Sequence, residues 1–446
     1  MRMLSEMKKL LAVTASVFCA AATLAVGHPA YAQAEPIAII NAEIHMAGPA
    51  ENPRTIRSGS IIINDGRIVA VGANVTPPSD EFRIIDAGGM PVTPGLFAPV
   101  SALGIEEIGG NDEGNDRRAD RGFPLSASLN AEDALNTSSS IIPINAAGGV
   151  TRAYTTPDPG GKLFGGCGMV IDLSGSIDPV TKSCVAQHVA MGQAGANRAG
   201  DTKAGAIALL RYYLNEARRY SQAPEDYRYM TNVSELTIPD LEALVPYVNG
   251  EKPLLVEVES APDIRRLIEM QREFGLDLVL LSAREAWMVA EELALADIPV
   301  IINPLQNLPV RFEAMGATLT NAAMLQQEGV RVSFYDSDIG YTHNLRALTQ
   351  LAGNAVAYGM SHKDALAAIT LNPAIIWGLE AELGTIQAGK TADIVIWDGD
   401  PLELTSRPTT VIIAGEEMDR TTRQTMLARR YLDLSRQDLP IAYQGE

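Results

Sequence analysis

Short apolar strands alternate with amphipathic helices through the middle of this 446-residue chain, from about residue 146 to residue 380. PLLVEVES precedes the helical APDIRRLIEMQREFG, LDLVLLS precedes REAWMVAEELALAD, and the order repeats with IPVIINP and VRVSFYDSD. Strands separated by helices of about 10 to 15 residues predict βαβ units and parallel pairing. The number of units favours an α/β fold with a closed (β/α)8 TIM-type barrel, and an open doubly wound sheet is the alternative.

Segments typical of β-structure lie on both sides of this alternating region. Residues 36–95 contain β-branched runs separated by turn residues, and residues 383–415 contain similar runs punctuated by glycine. Because the two segments flank everything else, we predict that they combine into one composite β-sandwich domain. On this interpretation the barrel occupies residues 96–382, and residues 416–446 form a helical tail at the surface.

The first 32 residues are typical of a secretory signal peptide. Three basic residues precede the apolar run LLAVTASVFCAAATLAV, and Ala30-Tyr31-Ala32 provides a small-x-small cleavage site. An uncleaved membrane anchor is the alternative, but the run is short and rich in alanine. We therefore expect residues 1–32 to be removed from a periplasmic or secreted protein that is not stably inserted in a membrane.

Net charge separates this chain from nucleic-acid-binding proteins. The sequence has 35 Lys and Arg residues against 54 Asp and Glu residues, which gives a formal net charge of −19. Binding to phosphates needs clustered basic side chains, and the sequence has no basic stripe. We therefore expect a small-molecule partner and no nucleic acid.

Two cysteines, Cys167 and Cys184, remain after the expected cleavage. In the oxidising compartment that a signal peptide implies, they can form a disulfide. They can equally be two buried thiols that pack as small hydrophobic side chains. Their separation along the chain does not decide between these interpretations.

Two loops near the strands are each assigned a packing role. The loop EEIGGNDEGNDRRADRG, residues 106–122, carries charges of both signs and lacks the ligand spacing of a calcium loop. We predict a solvated loop near the barrel mouth. The glycine-rich PDPGGKLFGGCG lacks the Lys-Ser ending of a phosphate-binding loop, so it is predicted to pack beside the barrel.

Four motifs give the chain a resemblance to a known superfamily. They are VTPGLFAPVSALG, GGVTRAYTTPDPGG, HNLRALTQLAGNAVAYGMSHKDALAAITLNPAIIWG and LGTIQAGKTADIVIWDGDPLE. On these motifs the chain resembles the amidohydrolase superfamily of metal-dependent hydrolases, in particular its exported imidazolonepropionase-like branch. The resemblance implies a (β/α)8 barrel with a composite β-sandwich from both chain ends. It also implies hydrolysis of non-peptide carbon–nitrogen bonds in small amides or cyclic amides.

The resemblance also implies a metal site, and this chain departs from it. Such enzymes typically hold one or two divalent metals with a His-x-His pair on the first strand and one histidine each on the fifth and sixth. The metal lowers the pKa of bound water and polarises the scissile bond. Aligned without gaps, the first-strand pair is Val100 and Ala102 here, and the other two positions hold Glu257 and Ser282. The resemblance therefore implies a degenerate metal site.

The last ligand of the family, an aspartate on the eighth strand, has a match in FYDSDIG. Either Asp336 or Asp338 is this residue, and it is our candidate catalytic group for proton transfer. The spacing of the histidines along the sequence agrees with a degenerate metal site, because no two of them have the spacing of metal ligands. His188, in a strand-like run, is interpreted as a packed structural residue. The resemblance therefore implies a divalent metal whose histidine ligands are absent here, so we assign no cofactor, and the sequence does not decide whether any metal is bound.

Two glutamates alternate with valines in LLVEVES. On a strand, Glu257 and Glu259 share one face, which we expect to point into the barrel beside Ser282 and toward Asp336 or Asp338. Buried carboxylates are costly without a cation, hydrogen bonds, protonation or water. The pocket is therefore interpreted in two ways. It is either an all-oxygen metal site or acid–base pair, or a wet polar pocket in which arginines or water satisfy the acids.

The sequence leaves two functions open. By resemblance, the protein is a hydrolase of small amides or cyclic amides. Alternatively, it is a catalytically silent homologue that binds a small ligand or partners an active relative. Assembly as a homo-oligomer, or as a hetero-oligomer with an active relative, is compatible with either, and the sequence does not decide whether the protein is an enzyme.

Overall fold

The computed structural model describes residues 35–47, 55–111, 113–120, 122–336 and 342–432. The predicted signal peptide, the candidate Asp338 and the last part of the predicted tail lie outside these described residues. Among the helices that are described, none combines the length and apolar character needed to cross a bilayer.

The described residues contain the following regular elements. The strands are β1 (Ile37–His45), β2 (Thr55–Asn64), β3 (Arg67–Gly72), β4 (Arg83–Asp86), β5 (Pro91–Pro94), β6 (Leu96–Ser101), β7 (Val150–Thr155), β8 (Phe164–Cys167), β9 (Met169–Asp172), β10 (Val180–Lys182), β11 (Gln187–Ala190), β12 (Asn232–Val233), β13 (Leu236–Thr237), β14 (Leu254–Val258), β15 (Leu278–Ser282), β16 (Val300–Ile302), β17 (Val332–Phe334), β18 (Ile394–Trp397), β19 (Pro408–Ile413) and β20 (Glu416–Glu417). The helices are α1 (Ile141–Ala146), α2 (Gly192–Ala196), α3 (Lys203–Gln222), α4 (Ile238–Val248), α5 (Ala261–Phe274), α6 (Ala290–Leu295), α7 (Asn321–Gln327), α8 (Leu348–Ala357), α9 (His362–Ala368), α10 (Leu371–Ile376) and α11 (Arg423–Tyr431).

The largest sheet combines strands from both ends of the chain. Its order is β20-β19-β18-β5-β1-β2-β3, and β4 pairs with β1. The antiparallel pairing of β18 with β5 joins the two chain ends, and isoleucines such as Ile39, Ile61 and Ile394 form its buried core. Because β20 belongs to this sheet, the helical part of the tail begins later than predicted, at α11. The sandwich form of this region remains a prediction.

The middle part of the chain forms parallel strands. Strands β11, β14, β15, β16 and β17 pair in parallel in chain order, and β6 pairs in parallel with β7. Helices α5, α6 and α7 connect the successive strands from β14 to β17. The alternating pattern therefore predicted this parallel order correctly. In the described residues the parallel strands belong to two separate hydrogen-bonded sheets, so the fold is mixed α/β and barrel closure remains a prediction.

Helix α5 shows how local sequence signals set an element beside the site. Ser260 caps its start, because its side chain accepts a hydrogen bond from the backbone N–H of Asp263. Ile264 and Leu267 are buried on its inner face. The helix ends at Gly275, whose φ of 62° lies in the left-handed region that glycine adopts without strain. The helix therefore begins shortly after β14 and ends shortly before β15.

A disulfide joins Cys167, at the end of β8, to Cys184. Of the two interpretations that the sequence left open, the structure has the disulfide. A buried ion pair makes a second long-range link, since Arg152 Nε on β7 lies 2.6 Å from Asp393 Oδ2, just before β18. This bidentate pair ties the parallel strands to the sheet formed by the chain ends.

Candidate functional site

A cleft of about 480 Å³ opens at the carboxyl ends of β14 to β17. We call it the β14–β17 cleft. Its lining residues are Glu257, Glu259, Ser282, Arg284, Leu305, Gln306, Asn307, Leu308, Val310, Arg311 and Tyr335. Three of the sequence-predicted pocket residues, Glu257, Glu259 and Ser282, therefore meet in one place. Clefts at this edge of a parallel sheet are where α/β proteins usually bind ligands.

The two carboxyl groups of the cleft are held in a poorly solvated setting. Glu257 is partly buried at the end of β14, and Glu259 is only 4% exposed. Burial raises the pKa of both groups above the ordinary value for glutamate. His188 opposes the rise in the pKa of Glu257, and Arg284 opposes it for Glu259. The neutral carboxyl forms are therefore favoured more than in water.

Arg284 brings a buried positive charge into the cleft. The residue is 9% exposed, and its Nε donates a hydrogen bond of 2.9 Å to Gln306 Oε1. Its Nη1 lies 3.6 Å from Glu259 Oε1, which makes an ion pair but no hydrogen bond. Nη1 is buried and has no hydrogen-bond partner. A charged donor in this state is costly, so it marks a place where a ligand can be accepted.

Ser282 sits on unusual backbone at the end of β15. Its φ is +77°, and that of the following Ala283 is +42°, so two successive non-glycine residues lie in the left-handed region. The Ser282 hydroxyl lies 3.0 Å from the hydroxyl of Tyr335. Strained backbone of this kind concentrates at functional sites, where it redirects the chain. Here it leads directly into Arg284.

His188 lies beside the cleft, although its sequence setting indicated only a packed residue. It belongs to β11, and the register of β11 on β14 places Ala190 opposite Glu257. The imidazole Nδ1 lies 3.0 Å from the carbonyl oxygen of Pro157, while Nε2 is buried without a hydrogen-bond partner. His188 is thus partly packed, as predicted, and partly unsatisfied next to a candidate acid.

The predicted first-strand positions are apolar core. Val100 is 1% exposed and Ala102 is fully buried, and both belong to the main hydrophobic core rather than to the β14–β17 cleft. Asp336 directly follows Tyr335 and is partly buried, but it does not line the cleft. Val100, Ala102 and Asp336 are thus not among the residues that line the β14–β17 cleft, and their role in a site stays a prediction.

A second charged cluster lies at the carboxyl ends of β6 and β7. Arg117 Nε lies 2.6 Å from Asp158 Oδ2, and Arg117 Nη1 lies 3.3 Å from Glu106 Oε2. The hydroxyl of Thr342 also donates to Glu106 Oε2, at 3.2 Å. We call these four residues the Arg117 cluster. The loop of residues 106–122 is thus not wholly solvated, because Glu106 is only 5% exposed.

The donor atoms of these regions do not fit the metal that the resemblance implies. The side chains of Val100 and Ala102 have no metal-binding atoms. Glu106 and Asp158, whose oxygens suit a hard cation, are engaged by Arg117 instead. Over the part of the chain that the structure describes, no group of three or more His, Cys, Asp or Glu side chains is placed to hold an ion.

The sequence did not single out Arg284 or Arg311, and it assigned His188 to packing. Arg284 follows the strained end of β15 by two residues, so its position after an apolar strand was the available signal. Arg311 comes from the loop after β16, and nothing in the periodicity of that loop places it at a cleft.

Comparison with known proteins gives the same superfamily as the motifs. The model of the amidohydrolase family matches residues 249–428, which include β14 to β17. A crystal structure of an amidohydrolase from Thermotoga maritima MSB8 has a TM-score of 0.75 and 27% sequence identity, over 86% of this chain and 100% of that one. This chain is therefore similar to amidohydrolases in sequence over residues 249–428 and in its mixed α/β fold over most of its length.

Two curated relatives are similar over smaller shares of their length. The amidohydrolase tasK of Hapsidospora irregularis is 24% identical over 393 residues, which cover 80% of this chain and 39% of tasK. The imidazolonepropionase of Sphingopyxis alaskensis is 38% identical over 85 residues, or 19% of this chain and 21% of that protein. This chain therefore spans about two fifths of the length of tasK and about one fifth of the imidazolonepropionase.

Proposed function

We propose that this protein is an amidohydrolase-superfamily member that binds a small amide or cyclic amide in the β14–β17 cleft and does not hydrolyse it through metal-activated water. One observation carries the proposal. Where the resemblance places metal ligands, Val100 and Ala102 are buried apolar residues. The nearby acids Glu106 and Asp158 are paired with Arg117. A site of this composition has no imidazoles to hold zinc.

The cleft itself supports the binding half of the proposal. It combines buried polar groups with apolar side chains, which is the usual composition of a small-molecule site. The Nη1 atom of Arg284 and the hydroxyl groups of Ser282 and Tyr335 converge on it. Of these groups, the Nη1 atom of Arg284 is the one that has no hydrogen-bond partner in the protein, and a bound ligand can supply an acceptor for it.

A second candidate function is hydrolysis of non-peptide carbon–nitrogen bonds without a metal. It is favoured by the proximity of Glu257, a carboxyl group with a raised pKa, to the unsatisfied imidazole of His188. A carboxyl group and an imidazole are the common general acids and bases of enzymes. On this reading Asp336, or Asp338, is a further candidate for proton transfer.

We also propose a barrel fold, export from the cytoplasm and a place in the imidazolonepropionase-like branch. The parallel strands of the two sheets are parts of a (β/α)8 barrel, which the similarity to the Thermotoga maritima amidohydrolase supports. The protein is exported after loss of residues 1–32, and the Cys167–Cys184 disulfide agrees with an oxidising compartment. Its relation to the imidazolonepropionase-like branch is supported by a match over 85 residues.

Binding and turnover can be measured on the same sample. Mature protein, residues 33–446, is incubated with N-acyl amino acids and hydantoin-like cyclic amides, with and without added zinc or manganese. Ligand-observed NMR follows binding, and chromatography follows products. We expect saturable binding without turnover in either condition. Turnover that depends on added metal and stops with chelator would overturn the proposal, and metal-independent turnover would favour the second candidate.

A further inference from the structure

We propose that the ligand of the β14–β17 cleft carries a carboxylate, and that this carboxylate binds the guanidinium group of Arg284. The inference rests on the proposed function, since it names the chemical class of the small ligand. It identifies Arg284 as the residue that selects this class.

The guanidinium group of Arg284 has donor capacity that the protein does not use. Nε is occupied by Gln306 Oε1, but Nη1 is buried and has no hydrogen-bond partner. The side chain is 10% exposed, so water has little access to the group. A planar guanidinium fork matches the two oxygens of a carboxylate better than it matches any single neutral acceptor.

Glu259 does not complete the pairing of Arg284. Its Oε1 lies 3.6 Å from Nη1, beyond hydrogen-bond length, and its Oε2 lies 3.4 Å from the backbone N–H of Arg284. Burial also raises the pKa of Glu259, so its carboxyl group ionises less readily and is a weaker counter-charge for Arg284. Arg311 adds a second positive charge to the cleft lining, and its nearest acid, Glu313, lies 3.8 Å away. The cleft lining therefore sets two arginines against two glutamates, Glu257 and Glu259, whose pKa values burial raises.

The rest of the lining describes the rest of the ligand. The hydroxyls of Ser282 and Tyr335 lie 3.0 Å apart and can bond to an amide group. Leu308 and Val310 are each 65% exposed at the rim, and an aliphatic group laid against them would remove apolar surface from water. An N-acyl derivative of an aliphatic amino acid presents these three features together.

The test compares two probes that differ in one group. N-acetyl-L-leucine and N-acetyl-L-leucinamide are titrated into the mature protein by isothermal calorimetry, because only the first carries a carboxylate. We expect the acid to bind at least about tenfold more tightly, a difference of about 1.4 kcal/mol. We expect this preference to vanish in Arg284→Gln and to persist in the control Arg265→Gln. Arg265 is a surface residue paired with Glu292.

The outcomes separate this inference from the proposed function. Equal binding of acid and amide by the wild-type protein would overturn the carboxylate inference and leave the proposed function standing. A preference for the acid that survives Arg284→Gln would also overturn it, because the anion would then bind elsewhere. No binding of either probe would count against both. If Arg284→Gln does not fold, the double variant Arg284→Gln/Glu259→Gln replaces it, since it also removes the Glu259 carboxylate that Arg284 faces.

Discussion

Two groups of charges lie at the carboxyl ends of parallel strands in this molecule, and they differ in how closely their ion pairs are made. In the Arg117 cluster, one guanidinium group bridges Glu106 and Asp158 at 3.3 and 2.6 Å. In the β14–β17 cleft, Arg284 Nη1 lies 3.6 Å from Glu259 Oε1. Removing one partner of a close pair leaves an uncompensated charge in the protein, whereas a long pair leaves its charged groups open to a ligand.

The Arg117 cluster and the β14–β17 cleft therefore differ in their role in the molecule. Arg117 supplies positive charge to acids that end β6 and β7, so this region needs no ion. The cleft keeps unsatisfied groups and strained backbone at Ser282, which folding alone does not favour. We infer that the first region holds the structure together and that the second region is where a ligand acts.

The largest expected effect is on the Arg117 cluster. Arg117→Met leaves Glu106 and Asp158 without their cation in a partly buried place. We expect a loss of roughly 2 to 4 kcal/mol in the free energy of unfolding, less than for a fully buried pair because Arg117 is about a quarter exposed. Urea denaturation measures it. The control Arg265→Met, at an exposed surface pair, should cost much less than Arg117→Met. Equal losses in the two variants would break the comparison.

A smaller and pH-dependent effect is expected for Glu257→Gln. The pKa of Glu257 is raised by burial, so its protonated form favours the folded state. The wild-type protein therefore loses stability as the pH rises from the unfolded pKa, about 4.3, through the raised folded pKa. Glutamine removes this loss. We expect the variant to be more stable by about 1 kcal/mol near neutral pH, with no difference below about pH 4.

The pH series needs a control at an exposed acid. Glu291→Gln, on the surface of α6, should show no gain that grows with pH. If Glu257→Gln is instead less stable at neutral pH, its carboxylate is stabilised in the fold, and the description of the cleft as unsatisfied is wrong.

The smallest expected effect concerns the incomplete pair in the cleft. Replacing both partners, as Arg284→Met/Glu259→Gln, should change the free energy of unfolding by less than about 1 kcal/mol, because no hydrogen-bonded ion pair is lost. Thermal and urea unfolding of the double variant against the wild-type protein check this. A loss of free energy of unfolding as large as that of Arg117→Met would show that the ion pair in the cleft stabilises the fold as strongly as the Arg117 cluster does.

The sequence predicted the parallel order of β14 to β17 because hydrophobic periodicity is a local signal. It also placed Glu257, Glu259 and Ser282 in one pocket, since alternation along a strand fixes which side chains share a face. It did not predict the pairing of Arg117, because that pairing joins a loop to the ends of two strands. The unsatisfied atom of Arg284 depends on neighbours distant in sequence, so no local pattern reveals it.

We infer that the charged groups at this edge of the sheet serve a ligand and not a metal. Calorimetric titration of zinc into metal-stripped mature protein tests this inference most directly. We expect no saturable binding of zinc, and no change when Glu257→Gln is introduced. Binding of one or two zinc ions per chain that weakens in Glu257→Gln would contradict it.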